Sequence, residues 1–161
     1  DHTTEDRGRI NWANGLTGWI NLLLQLDWRE QAIEFGRFIY EYGLKKNLGQ
    51  AEGITGNAYC FLELYKITED IVWLNAAKVF ACFGLYHYDE IVDSMVEGQK
   101  EDSLMSGAGG FVYLLMDLIY PWDSYGLPGL EITSYNFHSS AALSSETDSK
   151  DSSNMNDDVK F

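Results

Sequence analysis

Positive charge is in short supply along this chain. Eleven Lys and Arg stand against 25 Asp and Glu, a formal net charge of −14 over 161 residues. No Lys/Arg cluster is present to neutralise phosphates, which argues against a nucleic-acid-binding role. The same imbalance disfavours docking on an anionic membrane. Cysteine is equally scarce: Cys60 and Cys82, both inside apolar helical runs, are too few for a disulfide framework. They point to a reducing, cytoplasmic compartment, with at most peripheral contact with a membrane. No signal peptide or transmembrane run is visible. Proline is confined to Pro121 and Pro128, and the three histidines, His2, His87 and His138, are scattered.

Glycine, by contrast, recurs in a pattern. Gly53-Ile54-Thr55-Gly56 breaks regular structure twice in four positions, after which Asn57 to Ile67 runs without Gly or Pro and is apolar on most sides. That reads as a tight turn feeding a buried helix. The signature occurs upstream from Gly15-Leu16-Thr17-Gly18 and downstream from Gly107-Ala108-Gly109-Gly110. Aligned on the glycines, the three copies place Gln25, Glu63 and Asp117 at one late position, each followed by Leu. An internal repeat of this kind implies an all-α fold of stacked helical hairpins.

The segments between the copies fit that reading. From Arg29 to Leu44, Ala32, Ile33, Phe35, Ile39 and Tyr40 recur at helical spacing with charged residues opposite, as an outer helix requires. Thr68 with Glu69 and Asp70 predicts an N-cap and acidic first turn for a helix whose Trp73, Leu74, Ala77, Phe80, Ala81 and Gly84 face inward. Tyr86 to Asp102 is an acidic run expected to be a solvated loop or a weak exposed helix. Residues 1–10 read as a severed loop or linker. Residues 133–161, rich in Ser, Asp and Asn, read as a disordered tail.

The run GITGNAYCFLELYKITED at 53–70 resembles the GxxGNAYxFLxLYxxT segment of the lanthionine synthetase C-like (LanC-like) family. WANGLTG at 12–18 is similar to that family's WCHGxxG turn, and SLMSGAGGFVYLLMDLIYP at 103–121 to its closing segment. The resemblance spans residues 11–132. It implies an α/α toroid, a ring of helical hairpins whose inner helices start at the Gly-rich turns, with zinc held where those turns converge. Three turns are fewer than the seven such a ring would have, so a C-terminal part of a larger protein is expected.

The resemblance also implies where zinc would bind: at the Cys of the first turn and at the adjacent Cys and His of a GxCHG turn. Those positions are here Ala13, Ala51 and Glu52, and the first turn's His position is Asn14. Alanine offers no donor atom, and one carboxylate cannot make a zinc site of ordinary affinity. Lys46 matches a lysine that, by the resemblance, could meet a glutathione carboxylate. As a surface lysine near a helix end it equally needs no function. Glu52 could be a general acid in a cavity, the blander alternative being a solvated turn residue. Gln25, Glu63 and Asp117 could line a ring interior; hydrogen bonding to neighbouring turns is the simpler reading. Cys60 and Cys82 read as inert packing.

Three functions follow as hypotheses. The first, which we favour, is a zinc-free degenerate LanC-like protein acting as a binding or interaction scaffold toward the rest of a toroid or a protein partner. The second is a zinc- and glutathione-binding LanC-like enzyme adding thiols to dehydroamino acids. The third is a carbohydrate-active α/α toroid, for which Glu52 would have to converge with Glu63 or Asp117.

Overall fold

The computed structural model describes residues 10–94 and 103–121, all within one compact unit, Asp1–Gly129. The tail expected at 133–161, the second half of the acidic connection and all of the expected linker but its last residue lie outside the described residues. That last residue, Ile10, is fully buried.

The described residues form six α-helices and no strand: α1 (Leu16–Gln25), α2 (Arg29–Tyr42), α3 (Ile54–Thr68), α4 (Ile71–Tyr86), α5 (Tyr88–Ser94) and α6 (Ala108–Ile119). The all-α class expected from the repeat is thus present. Helices α1 and α2 make one hairpin, α3 and α4 a second. Each reverses on an acidic residue in the left-handed region, Asp27 at φ 58° and Glu69 at φ 57°. The three helices that follow Gly-rich turns are α1, α3 and α6.

Helix α3 is the centre of the unit and packs against α1, α2, α4 and α6. Its residues Ile54 to Leu62 are all buried, as its nearly unbroken apolar sequence demands. Phe61 stacks on Trp73 of α4 at 6.0 Å with an interplanar angle of 10° and meets Phe80 edge-on at 4.9 Å. Full burial of each such ring contributes about 1.5–3 kcal/mol. Gly84 lets α4 approach α6 closely: a Cβ there would lie 2.7 Å from the Phe111 ring.

Several local expectations change. Helix α3 starts at Ile54, because the first glycine of its turn is the N-cap and the second already lies inside the helix. Thr68 does not cap α4. It ends α3, donating its hydroxyl to the Leu64 carbonyl at 2.7 Å, while Asp70 is the N-cap and accepts from the Val72 amide at 3.0 Å. A carboxylate two residues from the amide it accepts is the ordinary capping geometry, and Glu69 in the left-handed region separates the two helices. On α2 the buried positions are Ala32, Gly36 and Ile39, whereas Tyr40 is exposed although its ring edges onto Phe61. The acidic connection begins with a short helix, α5, pinned by buried Ile91.

Candidate functional site

The three Gly-rich turns are structural copies. Their N-capping glycines share one extended conformation: φ −128° and ψ −170° at Gly15, −106° and −168° at Gly53, −115° and −164° at Gly107. Three residues on, Gly18, Gly56 and Gly110 each lie hard against a main-chain carbonyl, of Trp12, Gln50 and Leu104 respectively. In every copy the chain curls over the first turn of its own helix, leaving no room for a Cβ at that position.

Main-chain hydrogen bonds join the turns side by side. The amides of Trp12 and Ala13 both donate to the Ala51 carbonyl, at 3.1 and 3.0 Å, and the Ala51 amide donates to the Met105 carbonyl at 2.9 Å. Ala51 is therefore the junction of all three turns. Buried polar side chains reinforce it from below. Thr17 donates to Asn57 Oδ1 at 2.7 Å, Asn57 Nδ2 donates to the Gly43 carbonyl at 2.8 Å, and Thr55 donates to the Leu48 carbonyl at 2.6 Å.

The convergence implied for the zinc site is thus real as backbone geometry, but its side chains do not fit a zinc ion. Ala13 and Ala51 present methyl groups, Asn14 is exposed, and Glu52 offers an exposed carboxylate. Among the described residues no three of His, Cys, Asp and Glu come together in a way that could hold a metal. Lys45 stands near Glu52: partial burial pulls its pKa down, and the Glu52 carboxylate opposes that shift.

Lys46 lies on the same connection and is engaged. Its Nζ donates to both carboxylate oxygens of Glu90, at 2.7 and 2.8 Å, and His87 Nδ1 lies 3.0 Å from Glu90 Oε2. The Lys46 hydrogen bond first and the His87 contact second hold the Glu90 carboxyl below its usual range. His87, expected in a loop, closes α4 as its C-cap.

Asp117 and Glu63, equivalent by the repeat, make contacts between and along the inner helices. Asp117 accepts from the Tyr59 hydroxyl at 2.9 Å, and Glu63 pairs with Lys66 at 3.1 Å. Burial first, then the Asp117 carboxylate, pushes the Tyr59 hydroxyl well above the ordinary tyrosine range. Glu52 precedes Glu63 by eleven residues, most of them on α3, an axial rise of roughly 15 Å at about 1.5 Å per residue. Glycosidase carboxyl pairs stand no more than about 9.5 Å apart, so the backbone spacing disfavours this pair.

The two cysteines differ. Cys60 is buried, donates to the Asn57 carbonyl at 2.9 Å, and has its thiol pKa raised by burial first and Glu63 second. Cys82, read as packing, is exposed on α4. Its position on an apolar helix misled, because that helix is apolar on its wet face as well. The sequence reading passed over Gln50, which is fully buried with neither amide atom hydrogen-bonded among the described residues. Nothing in a Gly-Gln-Ala run signals that.

Comparison with known proteins closes the description. The family model described as lanthionine synthetase C-like protein matches residues 1–132. The chain is similar to LanC-like protein GCL1 of Arabidopsis thaliana, 39% identical over 132 residues, 76% of this chain and 30% of that protein. It is also similar to glutathione S-transferase LANCL1 of Danio rerio, 35% identical over 123 residues, 70% of this chain and 29% of that protein. The chain thus spans less than a third of the length of either relative.

Proposed function

Because the chain belongs to the lanthionine synthetase C-like family and keeps only one carboxylate, Glu52, at the positions where the family is expected to hold zinc, we propose that it is a zinc-free binding or interaction scaffold. The observation that carries this is the junction at Ala51. Main-chain hydrogen bonds tie the turns together, and at the expected metal position Ala13 and Ala51 offer only methyls and Glu52 a single exposed carboxylate. In the family, zinc would hold a thiol as thiolate at neutral pH and fix its position; without that ion this chain has no group placed to do either. Lys46 could attract an anionic thiol, but its ammonium is already paired with Glu90. The relative from Danio rerio is named for glutathione; for this chain we take such binding as weak.

We take the described helices as an arc of an α/α toroid, and the scaffold role as belonging to that arc. No helix among the described residues is long and apolar enough to cross a membrane.

Elemental analysis of protein purified without affinity-tag metal should find no stoichiometric zinc. Glutathione should add to a dehydroalanine peptide no faster than in buffer. The triple variant Ala13→Cys, Ala51→Cys, Glu52→His should gain zinc. One zinc per unmodified chain, or catalysed thiol addition by it in the presence of a chelator, would overturn the reading.

A further inference from the structure

Most ion pairs among the described residues join groups close in sequence: Arg29 with Asp27, Lys66 with Glu63, His87 with Glu90. The pair of Lys46 with Glu90 spans 44 residues instead. It fastens the connection before α3 to α5, and the two backbones it joins are held very differently. From Asn47 onward the connection is bonded to itself and to α3. The Asn47 side chain accepts from the Gly49 amide at 2.7 Å, the Asn47 carbonyl from the Ile54 amide at 2.7 Å, and the Gly49 carbonyl from the Gly53 amide at 2.9 Å. Helix α5 is seven residues long and buries Ile91. A helix that short does not hold by itself, so what docks it decides whether it forms.

Glu90 is the hub of that docking. Its two oxygens accept from Lys46 Nζ at 2.7 and 2.8 Å, and Oε2 also lies 3.0 Å from His87 Nδ1. A carboxylate only accepts, so that ring nitrogen carries the hydrogen. With a neutral ring the contact is an ordinary hydrogen bond; with a protonated ring it is charge-assisted and roughly twice as strong. Lys46 first and His87 second hold the carboxyl below its usual range. The contribution of Glu90 is therefore complete above the ordinary carboxyl range and is lost as pH falls through the lowered folded value. Two protonations thus act in opposite senses on one contact, the ring's tightening it and the carboxylate's breaking it.

We propose that α5 is a proton-sensitive strap: the Glu90 carboxylate clasps Lys46 and His87, holds α5 against the connection before α3, and on release frees the Lys46 ammonium. The groups that face the carboxylate are Lys46 from that connection and His87 from the end of α4. Asp89 and Asp93 belong to α5 itself. Beyond α5 the acidic connection is fastened again, where the Met105 carbonyl accepts from the Ala51 amide. Closing the strap therefore ties the connection down at both ends, and opening it leaves only the end at the turn junction in place. The device uses none of the expected zinc positions, so its failure and the failure of the zinc-free reading are separate events.

The test is hydrogen exchange of the full chain, corrected for the intrinsic rate at each pH, with the amides of α5 read against those of α3. Protection of α5 should be greatest at about pH 5–6, where an imidazole is charged and a carboxylate still ionised. At about pH 5.5, Glu90→Gln and Lys46→Met should each lower it by about two- to fivefold, leaving α3 unchanged. The double variant should lower it no further than either single one, because both remove the same contact. His87→Gln should abolish only the decline between about pH 6 and 8. Should Glu90→Gln fail to fold, Lys46→Met reads the same contact from its other side. Unchanged α5 protection in the variants, effects that simply add, or a loss shared equally by α3 would each overturn the proposal.

Discussion

At the residue scale, the sharpest constraint is the second glycine of each turn. Gly56 lies against the Gln50 carbonyl and the Trp12 Cβ, and main chain cannot swing aside as a side chain can. Gly56→Ala should therefore destabilise by about 1–3 kcal/mol, read from the midpoint of urea unfolding. Its neighbour Gln50 should respond in the opposite sense. Its amide is buried with both polar atoms unpaired, and Gln50→Met keeps the length while removing that unmet demand. A gain of about 1–2 kcal/mol is expected. Tyr59 supplies a pH-dependent case. Its folded pKa is raised from 10.0, chiefly by burial. Its contribution is thus complete below pH 10 and is lost as pH rises beyond, where the unfolded chain ionises and the folded one resists. Tyr59→Phe should flatten the fall of stability above pH 10. The sequence announced the glycines, since two breakers before an apolar run have few other uses. It did not announce Gln50 or the exposure of Cys82, because the burial of a single side chain depends on which neighbours the fold brings in from far along the chain.

At the element scale, caps divide the helices into two kinds. Helices α1, α3 and α6 open on an extended glycine with no side-chain cap, whereas α4 opens on Asp70, whose carboxylate takes the Val72 amide. Asp70→Ala should cost about 1 kcal/mol in thermal or urea unfolding, while Thr68→Val, which leaves that cap intact, should cost less. Helix spans were legible from the alternation of glycine turns with apolar runs: α2 and α3 each fall within two or three residues of the expected bounds. The cap was misplaced because Thr68, Glu69 and Asp70 all suit a helix start. Only the left-handed turn at Glu69 decides among them.

At the scale of the whole molecule, charge and repeat act against each other. Fourteen excess negative charges repel one another within the folded chain, so stability should rise as salt is raised from about 0.1 M, where the Debye length is near 10 Å, toward 1 M. Urea unfolding at two salt concentrations would show it, and stability lowered by salt would put attraction between opposite charges ahead of that repulsion. The helical hairpins were legible because each repeat carries its own turn. The contact between Tyr59 and Asp117 was not, because it joins two inner helices 58 residues apart.

The junction at Ala51 carries one more implication, for redesign. Every residue type except proline owns the amide and carbonyl that tie these turns together. The bonds made by positions 13 and 51 therefore survive any side-chain change short of proline, and Ala13→Cys, Ala51→Cys and Glu52→His can each be introduced without breaking them. Side-chain chemistry at these three positions is thus separable from the main-chain frame that carries it.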